Sequence, residues 1–182
     1  MLEIRRKAFH LLAISLWLVP LLTLQRKITI ALFFVVIALN LLIVFKVGIS
    51  RFKALYDLVF YLERERNIKR PSIQALWANI GIFLSFLLFG SLCASAGVVL
   101  LAVGDAFAGL VGISVGRRRI FRKSLEGSLA FFFSSFFALL LLLDVKRALI
   151  ISSVGTLTEL LPLKLDDNFL IPICGSLVCF LL

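Results

Sequence analysis

LAVGDAFAGLVGISVGRRRIFRKSLEGS, from Leu101 to Ser128, decides how this chain is read. Its first half is apolar enough to lie in lipid, yet Asp105 sits inside it among small residues. A strongly basic loop follows and ends in Lys123-Ser124-Leu125-Glu126-Gly127. A carboxylate within a membrane span is costly, so it faces a cavity or a partner. The stretch therefore describes a membrane helix that ends at a polar site.

The rest of the chain agrees. Of 182 residues, 62% are hydrophobic, and mean hydropathy is +1.10; a soluble domain is closer to half apolar. The apolar runs are continuous rather than alternating, which excludes a lipid-facing β-barrel and indicates helices. The net charge of +10 follows from the positive-inside rule and from contact with anionic membrane lipids, so nucleic acid is not expected as a partner. Cys93, Cys174 and Cys179 all lie in apolar runs and read as small packing residues, without metal-ligand spacing or a disulfide framework. The basic, apolar N-terminus shows no clear small-residue cleavage site and reads as a retained first span.

The expected fold is an all-α integral membrane protein, one membrane-embedded domain over 1–182. About seven transmembrane helices are expected, roughly at 8–24, 28–47, 73–90, 91–113, 128–143, 148–163 and 169–182. An interfacial amphipathic helix is expected at about 50–70, where Phe52, Leu55, Val59 and Leu62 recur at helical spacing before Pro71. With the N-terminus inside, sixteen of the 20 Lys and Arg residues fall on the cytoplasmic side. Four polar clusters then share that face: RRKAFH, the 48–72 linker, GRRRIFRKSLEGS and LKLDDN.

These clusters carry the chemistry. Gly104, Ala108, Gly112 and Gly116 recur every four residues beside Asp105. Such a stripe serves close helix packing, or lets phosphates approach the backbone. Arg117, Arg118, Arg119, Arg122 and Lys123 suit phosphate oxygens, Arg as a planar fork and Lys as a point charge. Asp105 would hold Mg²⁺ or another divalent cation on those phosphates. Glu126 favours a helix N-terminus, or joins Ser124 and Gly127 in an anion-facing turn. Glu159, Asp166, Asp167 and Asn168 can bind a second metal or activate a hydroxyl, or Asp166 can simply cap a helix. Arg6, Lys7 and His10 share one helix face; His10 is a structural residue, a base or a phosphate ligand.

Taken in order, these pieces resemble the CTP-dependent lipid-alcohol kinases, which include dolichol kinase, phytol kinase and the CTP-dependent diacylglycerol kinase. Arg6, Lys7 and His10 match an Arg-Lys-x-x-His segment, and Gly104, Asp105, Ala108 and Gly112 the central Gly-Asp-x-x-Ala with its following glycine. Lys123, Ser124, Glu126 and Gly127 match Lys-Ser-x-Glu-Gly; Glu159, Asp166, Asp167 and Asn168 match the late acidic segment. The resemblance implies a short polyprenol kinase-like enzyme that moves the γ-phosphate of CTP to a lipid alcohol with a divalent metal. It implies Asp105, Asp167 and Lys123 as catalytic residues, and Asp105, Asp166 and Asp167 around the metal. Arg6, Lys7, Gly104, Gly112, Gly116, Arg117, Arg118, Ser124, Glu126 and Gly127 would bind the nucleotide. Ile113 departs from the family, many of whose members place Lys or Arg there; Arg117 or Arg118 is the nearest substitute. A CTP-dependent cytidylyltransferase of a lipid phosphate is the alternative enzyme. A transporter or structural membrane subunit is the alternative outside enzymes, and a homo-oligomer stays open.

Overall fold

The computed structural model describes residues 2–48, 53–63, 69–121 and 123–182. Helices dominate them: α1 (Leu2–Ser15), α2 (Leu18–Thr23), α3 (Arg26–Val44), α4 (Lys53–Leu62), α5 (Ile73–Val99), α6 (Asp105–Ser114), α7 (Leu125–Leu139), α8 (Val145–Leu160) and α9 (Asp167–Leu181). A π-helical turn, Leu100–Gly104, joins α5 to α6, and a hairpin of two-residue strands, β1 (Arg119–Ile120) and β2 (Lys123–Ser124), leads into α7. Each expected span coincides with helix, displaced by a few residues. The expected interfacial helix is shorter than 50–70: α4 holds its middle, whereas Phe52 and residues 64–68 lie outside the described residues.

Among the described residues, three stretches are long and apolar enough to cross a membrane: Glu3–Thr23, Arg26–Val44 and Ile73–Ser114. The last is not one rod. Gly90, at φ 82° and ψ 176°, interrupts α5, a conformation open to glycine because it has no Cβ. The chain doubles back there. Gly81 before the break and Gly97 after it both lie against Pro172 of α9; a Cβ at Gly81 would stand 3.0 Å from Pro172 Cγ, and one at Gly97 3.0 Å from Pro172 Cα. The break falls where the sequence separates 73–90 from 91–113. Helices α7 and α9, of 15 residues each, fall short of the ~20 residues that a perpendicular span requires. The molecule is an all-α integral membrane protein.

Burial is uneven. Only 22% of the apolar window is buried in each of the first two stretches, against 61% in Ile73–Ser114. The α5–α6 hairpin is thus the protein's own core, and the N-terminal hairpin turns apolar side chains outward to lipid. At the centre Leu100 and Leu101 are fully buried. Leu100 fills the space left by Gly155 of α8 and Gly175 of α9, and Gly104 receives the ring of Phe131 from α7. Without a hydrophobic force to drive helices together in lipid, close approach through small residues holds them. One expectation fails: Cys93 and Cys179 are bonded as a disulfide between α5 and α9, with Cα atoms 5.3 Å apart. Both sit on apolar faces that the fold brings together over 86 residues of separation, which spacing along the chain does not reveal.

Candidate active site: a polar cavity at the converging helix ends

The π-turn ends at Asp105, and wide turns of this kind recur at functional sites. Here the turn directs Asp105 into a cavity of about 600 Å³. Helix α1 contributes Arg6 and Lys7 to its wall; α6 contributes Asp105, Gly109, Gly112 and Ile113; the hairpin and the start of α7 contribute Arg119, Lys123, Ser124, Gly127 and Ser128. Glu159 comes from the end of α8, and Asp166, Asp167 and Asn168 come from the start of α9. Clusters more than a hundred residues apart in sequence therefore share one space. The N-termini of α7 and α9 both open on it, and helix N-termini favour anions.

Two ammonium groups dominate. Lys7 is buried at 7% exposure; its Nζ donates to the backbone oxygen of Asp105 at 3.0 Å and to the Asp105 carboxylate at 2.5 Å. Its stem passes over Gly109, where any Cβ would collide with it, so that glycine has a steric reason. Across the cavity, Lys123 Nζ lies 2.8 Å from Glu159 and 2.9 Å from Asp167. Burial disfavours its charge, but the Glu159 and Asp167 carboxylates outweigh that and hold its pKa above the ordinary lysine value. Ser128 Oγ donates to the second oxygen of Glu159 at 3.3 Å.

Other expected residues settle into structural tasks. Ser124 caps α7, accepting from Gly127 N at 3.1 Å. A Cβ at Gly112 or Gly116 would stand 3.0 or 2.8 Å from Ser124 Oγ. The stripe thus packs α6 against α7 while Ala108, Gly112 and Gly116 line the cavity. Asp166 caps α9, its Oδ1 accepting from Asn168 N at 2.9 Å and Asn168 Nδ2 at 2.7 Å. Arg6 donates to Glu3 at 2.9 Å and to Gln74 Oε1 at 3.1 Å.

Four residues expected to bind nucleotide stand off the cavity wall. Gly104 is a packing residue beneath Phe131, off the cavity wall. Arg117 and Arg118 are exposed and also off that wall; their backbone N–H groups donate to Glu126, at 3.1 and 3.3 Å. Glu126 therefore braces the loop from outside. Among the described arginines of this loop, Arg119 is the one that lines the cavity. Gln74 and Ser128 also went unmarked in the sequence, where nothing distinguishes them from other polar helix residues. His10 lines a neighbouring apolar groove; its Nε2 lies 3.3 Å from Leu101 O and 3.7 Å from Asp105 Oδ2.

The carboxylates of Asp105 and Asp167 are hard oxygen donors lining one cavity, the kind Mg²⁺ accepts. Among the described residues no group of three or more His, Cys, Asp or Glu stands together to cage an ion. That donor set fits Mg²⁺, which takes one or two carboxylates and completes its shell with phosphate oxygens and water.

Comparison with known proteins adds one likeness. Dolichol kinase of Saccharomyces cerevisiae is 35% identical over 123 residues, which cover 58% of this chain and 23% of the yeast protein. The match thus spans about a quarter of the length of that curated relative. No family model matches the chain, and no solved structure does.

Proposed function

We propose that this chain is a CTP-dependent kinase that transfers the γ-phosphoryl group of CTP to the hydroxyl of a membrane lipid alcohol of the polyprenol or dolichol type. One observation carries the reading. Arg6–Lys7, Asp105, Lys123–Ser124 and Glu159–Asp167 meet in a single cavity, with oxygen donors and cations together. The likeness to a dolichol kinase supports a kinase with an alcohol acceptor.

In this reading Arg6, Arg119 and the N–H groups that begin α7 and α9 hold the phosphates. Lys123 has two carboxylate partners and can exchange one for the transferring group. Asp105 and Asp167 would hold Mg²⁺, which supplies neutralisation of the triphosphate charge. The lipid hydroxyl oxygen bonds to the γ-phosphorus while the bond to the β–γ bridging oxygen breaks, its electron pair leaving with CDP. The hydroxyl proton passes to Asp105 or Asp167; of the other carboxylates lining the cavity, Glu159 is buried, Asp166 caps α9 and Glu3 pairs with Arg6. Positioning and charge stabilisation supply most of the acceleration in such transfers. Seven spans, with α5 counted as two, put the N-terminus and the cavity on the cytoplasmic side.

The test uses purified full-length protein with Mg²⁺, four labelled nucleoside triphosphates and a panel of lipid alcohols and lipid phosphates. γ-Label from CTP in the lipid product is the expected result. Incorporation of cytidine with release of pyrophosphate would convert the assignment to a cytidylyltransferase. Absence of transfer to any lipid would leave a transporter or subunit.

A further inference from the structure

A second cavity, about 470 Å³, opens between α1, α2, α3, α4 and the start of α5. Phe9, Ala13, Leu32, Val36 and Ile43 make much of its wall. Two asparagines also line it, but their polar atoms are engaged. Trp17 Nε1 donates to Asn79 Oδ1 at 2.8 Å, Asn79 Nδ2 to Asn40 Oδ1 at 3.3 Å, and Asn40 Nδ2 to Val36 O at 3.1 Å. The body of the groove thus offers an occupant contact area and few free hydrogen-bonding groups.

One end differs. Arg6 and Gln74 line both this groove and the polar cavity, and His10 lies on the groove wall 3.7 Å from Asp105. The two cavities therefore meet where hydrogen-bonding side chains stand beside the Asp105 carboxylate. Helix α4 contributes Val59 to the groove wall. It is pinned there by Tyr56, whose hydroxyl lies 2.9 Å from Leu42 O and 2.8 Å from Val47 O. An amphiphile whose single polar group sits at one end of an apolar chain matches this layout; a diacyl phospholipid, with its large charged head, does not.

We propose that this groove holds the isoprenoid chain of the acceptor alcohol and presents its hydroxyl at Arg6, Gln74 and His10. The assignment rests on the kinase reading for its chemistry, and on the junction of the two cavities for its place. Chain selectivity then resides in α1 and α3, away from the nucleotide.

The experiment fills the groove from its apolar side. Ala13→Trp and Val36→Trp are assayed in full-length, reconstituted protein with geranylgeraniol and with the short alcohol prenol. The KM for geranylgeraniol is expected to rise about tenfold or more, with prenol turnover and the KM for CTP within about twofold of the parent. Equal loss on both alcohols, or no change on either, overturns the proposal. A diazirine-bearing geranylgeraniol, used without nucleotide, provides a readout that needs no kinase activity. Crosslinks on groove residues of α1 and α3 that geranylgeraniol displaces and excess phosphatidylcholine does not are expected. Displacement by phosphatidylcholine to the same degree identifies a bulk-lipid surface and overturns the site. If no alcohol is phosphorylated yet the crosslinks hold, the kinase reading fails while the groove stands.

Discussion

The two walls of the polar cavity use the same chemistry in opposite ways. On the α1–α6 wall, Lys7 and Asp105 form a closed pair with side chains 9% and 16% exposed. On the α8–α9 wall, Lys123 divides its charge between buried Glu159 and open Asp167, with Lys123 and Asp167 31% and 32% exposed. A closed pair is costly to break, because either partner left alone is an uncompensated charge. A shared ammonium can release one carboxylate and keep the other. The first wall is therefore the fixed part of the site, and the second is the part that can respond to an arriving phosphate.

Breaking the closed pair should have the largest effect. Asp105→Asn is expected to cut transfer by about 10²-fold or more. Because it strands Lys7, it should also cost about 3–5 kcal/mol of stability. Thermal unfolding in detergent beside the transfer assay separates the two losses. Replacing both partners, Lys7→Met with Asp105→Leu, should restore stability without restoring turnover. Recovery of turnover in that double variant would show the pair to be only structural.

Asp167→Asn should act on chemistry alone. Lys123 keeps Glu159 and Asp166 keeps its cap, so stability should hold while turnover falls about 10²-fold and its Mg²⁺ dependence shifts. Its neighbour supplies the contrast: Asp166→Ala should lose about 0.5–2 kcal/mol with ordinary Mg²⁺ dependence. If the two behave alike, the distinction between capping and reacting carboxylates collapses.

A smaller effect is expected of pH. The Lys123 pKa is raised by its carboxylates, so its ionic contribution is complete below the unfolded lysine value and disappears only as pH rises through the higher folded one. Nucleotide affinity should then show no lysine limb between about pH 7 and about pH 10. A limb in that range that vanishes in Lys123→Arg would contradict the shared-ammonium arrangement. The smallest change is Asp144→Ala, remote from both walls. Asp144 caps α8 by accepting from Arg147 N at 3.0 Å, so its loss should cost about 1 kcal/mol and leave turnover unchanged.

Legibility followed the range of the interactions. The Gly90 break, the ends of α7 and α9, and the acidic and basic clusters are local features, and the sequence displays them. The choice of Arg119 over Arg117 and Arg118 depends on strand register, Arg119 pairing with Ser124. A shift of one residue would face a different arginine inward, and no local pattern records that register. The partner of Lys7 lies 98 residues away, so sequence spacing shows its helix face with Arg6 and His10 and not its pairing with Asp105. Gln74 and the apolar groove escape for a related reason: they exist only where five helices meet.

Pro172 sits between Gly81 and Gly97 with no room for a Cβ on either side. Mechanically this is a bearing with no clearance. Helix α9 cannot slide along α5 without driving its ring into backbone, so the five-residue lever from Pro172 to Asp167 has a fixed pivot. Under the proposed kinase reading, the acidic end of α9 therefore keeps its station while a nucleotide enters.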